Sequence, residues 1–251
     1  MKAMVLAAGL GTRLRPLTND RPKALVEVAG RTMLEITLER LRTCGVSEVI
    51  VNAHHHADML IDYIRAHGGF GMHVEVSREE ELLDTGGGLK KAAWFFTESG
   101  SEEPFVLHNV DVLSDIDLVR MVRFHEQRGA LATLATQDRA TSRYLLFDGQ
   151  GELCGRQAGR DGEPELARPC PSAHPLAFAG IHVISPRLLS QLTEDGAFSI
   201  ISAYLRMAGE GERICAFRSD AYRWRDLGRP EHVAEAAREI TAEQYPRAPK
   251  I

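Results

Sequence analysis

Residues 6–23 read LAAGLGTRLRPLTNDRPK. They continue an apolar run that is typical of a buried β-strand. In the turn that follows, Gly9 and Gly11 carry no side chains, so backbone N–H groups can approach a phosphate closely. Arg13 and Lys23 add cationic groups that suit a polyphosphate. The stretch therefore predicts a strand that ends in a phosphate-binding loop.

The residues alone leave a second interpretation open, which is a tight strand–helix turn with solvent-exposed arginines. Two well-known phosphate loops are excluded. A dinucleotide-binding loop requires a glycine three positions after Gly11, where this chain has Leu14. A Walker A loop requires Gly-Lys-Ser/Thr, which does not follow. The loop, if it binds phosphate, is of another kind.

The first half of the chain alternates strand-like and helix-like patterns. Ala3–Ala8 and Glu48–Asn52 are apolar runs of strand length, and Met33–Thr43 between them has the periodicity of an amphipathic helix. The alternation continues to Thr136. It predicts an α/β fold, Rossmann-like, with a mainly parallel mixed sheet flanked by helices.

The pattern changes in the second half. Tyr144–Phe147 and Glu152–Cys154 predict a hairpin, and residues 158–175, rich in Gly, Pro and charge, predict a surface loop. We expect one domain over residues 1–240, with a small β-rich lobe inserted at roughly 137–185. Residues 241–251 are expected to form a C-terminal tail.

Composition excludes several classes of protein. The chain has 251 residues and a net charge of −5, with 30 Lys+Arg against 35 Asp+Glu. This mild acidity argues against a nucleic-acid-binding surface, and no segment approaches the roughly 20 apolar residues of a membrane span. The four cysteines are scattered without a C-x-x-C pair, which favours a reducing compartment. We therefore expect a cytoplasmic protein that is a monomer or a small homo-oligomer.

The opening stretch resembles the signature of sugar-1-phosphate nucleotidyltransferases, L-A-A-G-x-G-T-R-L-x-P-L-T-x-x-x-P-K, at every specified position. Other segments similar to those of this family follow in the expected order along residues 1–240. They are Asp84-Thr-Gly-Gly, Asn109-Val-Asp111, Phe178-Ala-Gly180-Ile and Trp224-Arg-Asp226-Leu-Gly228. The chain looks most like the N-acetylmuramate-1-phosphate uridylyltransferase and mannose-1-phosphate guanylyltransferase branches.

The resemblance implies a Mg²⁺-dependent enzyme of nucleotide-sugar biosynthesis. Its substrates would be a nucleoside triphosphate and a sugar 1-phosphate, and its products a nucleotide sugar and pyrophosphate. Two alternatives stay open: a phosphocholine-type cytidylyltransferase on the same fold, and a non-catalytic subunit that binds a nucleotide sugar. Neither nucleic acid nor membrane is an expected partner.

The resemblance also assigns roles to residues. Arg13, Lys23 and Asp111 would be catalytic, and Asp111 with Asp226 would hold Mg²⁺, although either aspartate alone is more often a helix cap or a turn former. The nucleotide-binding set would be Ala8, Gly9, Gly11, Thr12, Arg13, Lys23, Glu81, Thr85, Gly86 and Gly87.

The sugar-phosphate side departs from the family pattern. Many relatives carry Glu-Lys-Pro after the hairpin, with the lysine on the sugar phosphate, whereas residues 154–158 here read CGRQA. Arg156 is the simplest cationic substitute for that lysine. Arg143, Arg156 and Gly180, the last of which matches a family glycine that borders the sugar, form the predicted sugar-phosphate-binding set.

Overall fold

The computed structural model describes residues 1–98 and 100–241. The strands are β1 (Lys2–Leu6), β2 (Glu27–Val28), β3 (Arg31–Thr32), β4 (Glu48–Ala53), β5 (His73–Arg78), β6 (Phe105–Asn109), β7 (Val112–Ser114), β8 (Ala132–Gln137), β9 (Arg143–Phe147), β10 (Leu153–Ala158), β11 (Pro164–Leu166), β12 (His174–Ile184), β13 (Ile214–Arg218) and β14 (Trp224–Asp226). The α-helices are α1 (Met33–Thr43), α2 (Ala57–Ala66), α3 (Asp84–Lys91), α4 (Trp94–Thr97), α5 (Leu118–Arg128), α6 (Ile200–Gly209) and α7 (Pro230–Thr241). Short 3₁₀ turns occupy Thr12–Leu14, Lys23–Leu25, Gly68–Gly71 and Pro186–Gln191.

The chain divides into two compact units. The first contains residues 1–82, 108–115 and the described residues from 223 onward. The second contains residues 83–107 and 116–222. The division falls within β6, so His108 and Asn109 belong to the first unit and the three residues before them to the second.

In the first unit, three parallel strands lie in the order β1-β4-β5. Fully buried side chains, such as Met4 of β1 and Ile50 of β4, form its core with Leu38 of α1. The helix α1 begins at a side-chain cap, because the Thr32 hydroxyl accepts a hydrogen bond from the Glu35 N–H at 3.1 Å. Parallel strands place their carboxyl ends at one edge of the sheet, which is where open α/β sheets bind ligands.

A small antiparallel pair completes the part of this unit that carries the candidate site. Strand β14 pairs with β7, and Asp226 lies opposite Val112. The Leu227 N–H then donates a hydrogen bond to the carbonyl oxygen of Asp111 at 2.7 Å. The pairing brings two segments that are distant in sequence side by side.

In the second unit the strand order is β11-β10-β9-β12-β8-β13. Strands β8 and β13 run parallel, and each of the other neighbours in this order is antiparallel. The pairing of β12 with β8 shifts register between Phe178 and His182. Gly180, which lies within this irregularity, has a φ of +75°, a conformation that favours glycine.

The predicted α/β class with a mixed sheet is confirmed, as is the helix over Met33–Thr43. The prediction of a loop over residues 158–175 is wrong, because β11 and the start of β12 lie there. All three residues of β11 are exposed, so the segment lacks the alternation that marks a half-buried strand. The single domain over residues 1–240, its lobe at 137–185 and its tail stay predictions; residues 242–251 lie outside the described part of the chain.

No helix in the described ranges has the length and apolar character needed to cross a bilayer.

Candidate functional site

The loop that follows β1 presents a run of unused backbone donors. The amide N–H groups of residues 9–13 donate to no acceptor within the part of the chain that the structure describes. The loop is fixed around them, since the Gly11 carbonyl accepts from the Leu14 N–H at 2.9 Å and from the Thr18 hydroxyl at 2.8 Å. Gly11 has a φ of +63°. Consecutive free amides in a turn suit an anion.

Lys23 lies against this loop. A Cβ built on Gly9 would be 3.3 Å from the Lys23 ammonium nitrogen, and one on Gly11 would be 3.2 Å from the Lys23 Cβ. Gly11 is required here by its positive φ and by the Thr18 methyl group, 2.9 Å from such a Cβ, whereas a side chain at Gly9 would crowd the end of the lysine. The cation and the free amides are neighbours, as the opening stretch of sequence predicts.

Lys23 also forms an ion pair with Asp111. The distance from Nζ to Oδ2 is 3.2 Å, and the side chains are 14% and 15% exposed. Burial by itself would raise the pKa of the Asp111 carboxyl, but the charge and hydrogen bond of Lys23, with a contribution from Arg13, hold that pKa below its ordinary value. Asp111 is therefore a carboxylate at neutral pH.

Arg13 and Asp226 meet at Gly228. The Asp226 carboxylate accepts a hydrogen bond from the Gly228 N–H at 2.8 Å. A Cβ built on Gly228 would lie 2.8 Å from an Asp226 oxygen and 3.0 Å from an Arg13 nitrogen. A side chain at position 228 would force the guanidinium or the carboxylate to shift from its place at this turn. The first unit thus gathers both predicted cations and both predicted metal ligands.

The residues present fit a magnesium ion. Asp111 and Asp226 supply carboxylate oxygens, the ligands that Mg²⁺ prefers, from segments that the β7–β14 pairing places side by side. Across the described residues, no group of three or more His, Cys, Asp or Glu side chains is arranged to hold a metal. Two carboxylates completed by substrate phosphates and water are a usual arrangement for Mg²⁺.

Two buried polar residues of the first unit were not predicted. Asn52 accepts hydrogen bonds from the backbone N–H groups of Ala7 and Ala8, and it donates one to the Glu79 carboxylate. Glu79 is 2% exposed, whereas Glu81, to which the resemblance assigns a nucleotide-binding role, is exposed. The missed signal is the position of Asn52 near the carboxyl end of an apolar strand, where ligand-binding side chains concentrate.

Thr85, Gly86 and Gly87 lie in α3 of the second unit. The Thr85 hydroxyl accepts a hydrogen bond from the Ile200 N–H at 3.0 Å. A Cβ on Gly86 would be 2.3 Å from the Phe198 ring, and one on Gly87 would be 2.4 Å from the Gly196 carbonyl oxygen. Packing within this unit therefore accounts for both glycines. Their predicted role at a nucleobase stays a prediction.

The predicted sugar-phosphate residues also lie in the second unit. Arg143 is exposed at the start of β9, and Gly180 lies in the irregular part of β12. Arg156 faces Glu165 across β10 and β11, with two hydrogen bonds of 2.7 and 2.9 Å. A sugar phosphate would have to compete with Glu165 for this guanidinium, so the role of Arg156 stays a prediction.

A family model described as nucleotidyl transferase matches residues 2–152, which include the loop, Lys23 and Asp111. The chain belongs to the nucleotidyl transferase family. This nucleotidyl transferase is 34% identical over 238 residues to N-acetylmuramate alpha-1-phosphate uridylyltransferase of Caulobacter vibrioides, covering 91% of this chain and 92% of that protein. It is 30% identical to mannose-1-phosphate guanylyltransferase catalytic subunit beta of Danio rerio, covering 92% of this chain and 62% of that protein. The predicted resemblance is confirmed.

Solved structures share the fold of this nucleotidyl transferase. HddC from Yersinia pseudotuberculosis, complexed with GMP-PN, matches with a TM-score of 0.74 and 21% identity, covering 95% of this chain and 99% of that chain. UDP-glucose pyrophosphorylase from Acinetobacter baumanii matches with a TM-score of 0.77 and 18% identity, covering 96% of this chain and 93% of that chain. These matches agree with the α/β class.

Proposed function

We propose that this nucleotidyl transferase joins a nucleoside triphosphate to a sugar 1-phosphate, forming a nucleotide sugar and releasing pyrophosphate. The observation that carries the proposal is the Lys23–Asp111 ion pair beside the free amides of the phosphate loop. Relatives that match nine-tenths of this chain are named as transferases of uridylyl or guanylyl groups to sugar 1-phosphates, and they support the same reaction.

The reaction requires charge compensation more than acid–base chemistry. An oxygen of the sugar 1-phosphate attacks the α-phosphorus, a new P–O bond forms, and the bond to the β-phosphate oxygen breaks. Pyrophosphate leaves with that electron pair. The attacking phosphate is already ionised at neutral pH, so no general base is needed. Both reactants are anions, and most of the rate enhancement must come from positioning and electrostatic stabilisation.

The two cations suit this demand. Lys23 is held in place by Asp111, and an ammonium group has three donors, so it can contact a phosphate while it keeps the carboxylate. We assign it to the α-phosphate. Arg13 is exposed and its planar guanidinium can bind two oxygens at once, which suits the β- and γ-phosphates of the leaving group.

We propose that Asp111 and Asp226 hold Mg²⁺. When bound, the ion would offset negative charge on the phosphates. The charge that Lys23 places beside Asp111 does not prevent this role, because the low pKa keeps the carboxyl ionised and able to bind a cation.

One assay tests which sugar 1-phosphate accepts the nucleotidyl group and which nucleobase the nucleoside triphosphate carries. We expect pyrophosphate release only when a nucleoside triphosphate and a sugar 1-phosphate are both present, across four nucleotides and a panel of hexose 1-phosphates with and without N-acetyl groups. UTP is the first choice, because the relative matched over 92% of its length is a uridylyltransferase. Phosphocholine with CTP forms a separate arm. If pyrophosphate is released only with CTP and phosphocholine, the protein is a phosphocholine-type cytidylyltransferase. If it binds the nucleotide sugar without turnover, it is a non-catalytic binding subunit.

A cytoplasmic location is part of the proposal. Nucleoside triphosphates and sugar phosphates are substrates of that compartment. The scattered cysteines without a C-x-x-C pair fit a reducing environment.

A further inference from the structure

Asn52 connects the carboxyl ends of all three parallel strands of the first unit. Its Oδ1 accepts a hydrogen bond from the Ala7 N–H at 2.7 Å and one from the Ala8 N–H at 3.3 Å. Its Nδ2 donates to an oxygen of Glu79 at 2.7 Å. The carboxamide orientation follows from chemistry, since the oxygen faces two donors and the nitrogen faces a carboxylate.

All the residues that take part in these hydrogen bonds are buried. Asn52 and Glu79 are each 2% exposed, and Ala7 and Ala8 are 3% and 5% exposed. Backbone amides buried to this degree are costly to leave without a partner. Glu79 is itself fixed, because its N–H donates to the Ala53 carbonyl at 2.7 Å and its carbonyl oxygen lies 3.0 Å from the His54 ring.

Asn52 thus divides the loop into backbone amides that already have an acceptor and amides that do not. The amides of Ala7 and Ala8 donate to its side chain, whereas the free donors begin at Gly9. An amide that donates to Asn52 is not available to a phosphate. Ala8 therefore differs in this respect from Gly9 and Gly11, the other members of the predicted nucleotide-binding set on this loop.

We infer that Asn52 is a positioning residue for the nucleotide: it fixes the backbone before Gly9 so that the following amides are ordered before the triphosphate arrives. The inference rests on the proposed function, in which those amides bind phosphate. A loop ordered in advance spares the ligand the entropy of ordering it. Loss of Asn52 should therefore weaken nucleotide binding and leave the affinity for the sugar phosphate unchanged.

The test changes the hydrogen-bonding groups of Asn52 and Glu79, first singly and then together. Asn52→Ala should weaken nucleotide binding by roughly tenfold, the effect of about one net hydrogen bond. Asn52→Asp should be about as damaging, because it places two carboxylates together in a buried site. Glu79→Gln keeps an acceptor for the Asn52 amide and should change binding less than about threefold. The double variant N52D/E79Q restores one donor and one acceptor and should recover binding to within about threefold of the wild type.

The readout is the dissociation constant of UTP with MgCl₂ by calorimetry, or of whichever of the four nucleotides the wild type binds, with KM for the sugar phosphate measured beside it. Thr133→Val is the matched control, since it removes a fully buried hydroxyl that lies 3.0 Å from the ring of His125 in the second unit. It should lower stability without changing nucleotide affinity.

The inference is supported if N52A and N52D lose affinity for the nucleotide but not for the sugar phosphate, and if the double variant N52D/E79Q recovers nucleotide affinity. Unchanged nucleotide affinity in folded N52A, or in N52D if N52A does not fold, would overturn it, and so would equal losses for both substrates. Product formation by the wild type is a separate readout. If the wild type binds nucleotide but makes no nucleotide sugar, the proposed function fails, and the binding series still decides the role of Asn52.

Discussion

Lys23 and Asp111 are 88 positions apart in the sequence, and their side chains form a mostly buried ion pair of 3.2 Å. The pair fixes the lysine beside the free amides of the phosphate loop and keeps the aspartate ionised. One contact thus prepares a cation for the substrate phosphates and a carboxylate for a metal ion.

Lys23→Ala should lower kcat by about 10²–10³, the usual effect of removing one electrostatic group aimed at the transition state. It should also lower the thermal midpoint, because it leaves Asp111 buried without its cation. Steady-state kinetics with thermal denaturation separate the two effects. Lys91→Ala, which changes an exposed lysine, is the control. A folded K23A enzyme with normal kcat would remove Lys23 from the mechanism.

Gly228→Ala should disable the site without unfolding the protein. The added methyl group would lie 2.8 Å from Asp226 and 3.0 Å from Arg13, so one of the two side chains must move. We expect kcat/KM to fall, by at most the loss in Arg13→Ala, which is on the order of 10². Gly149→Ala is the matched control, because a Cβ there meets no atom within 4 Å. Normal kinetics in G228A would show that Arg13 and Asp226 need not share this turn.

Removal of divalent metal should abolish activity, and Mg²⁺ should restore it. Asp111→Asn and Asp226→Asn should each require more Mg²⁺ for half-maximal activity, because a carboxamide keeps one oxygen but loses the negative charge. The measurement is a Mg²⁺ titration after treatment with a chelator. Asp58→Asn, at an exposed carboxylate, should behave like the wild type. Full activity without divalent metal would leave both aspartates with structural roles only.

Arg156→Ala should raise KM for the sugar 1-phosphate and leave KM for the nucleotide unchanged. Because Glu165 holds this guanidinium with two hydrogen bonds, Glu165→Gln should lower KM for the sugar 1-phosphate by weakening that competition. Initial rates with each substrate varied in turn measure both constants. A change in KM for the nucleotide would place Arg156 on the other side of the reaction. No change in either constant would make it a cross-strand partner of Glu165 only.

Local pattern predicts much of this molecule, and long-range pairing accounts for what it misses. The helix over Met33–Thr43 and the strand before the glycine loop follow from periodicity. The prediction of Asp111 as a site residue comes from its position after an apolar strand. Asn52 obeys the same rule, but nothing in the sequence shows that its partners are Ala7 and Glu79, the latter 27 residues away.

The sequence also does not show that Glu79 is the buried one of three consecutive glutamates, and the predicted role of Glu81 at the nucleotide stays a prediction. Three consecutive glutamates look alike in composition, and only the end of β5 and the contact with Asn52 decide which of them is buried. Gly228 was part of a recognised motif, yet its function depends on the pairing of β14 with β7 and on the reach of Arg13. The strand β11 was missed because its residues are exposed, so no burial pattern marks it.

The most direct test of the proposed nucleotidyl transfer follows the phosphorus atoms. The enzyme is incubated with Mg²⁺, a sugar 1-phosphate and the nucleotide that the wild type uses, labelled with ³²P at either the α- or the γ-phosphate. Attack at the α-phosphorus predicts that the α-label appears in the nucleotide sugar and the γ-label in pyrophosphate, each only when the sugar 1-phosphate is present. Release of the γ-label as inorganic phosphate, or appearance of the α-label in free nucleoside monophosphate without the sugar, would contradict it.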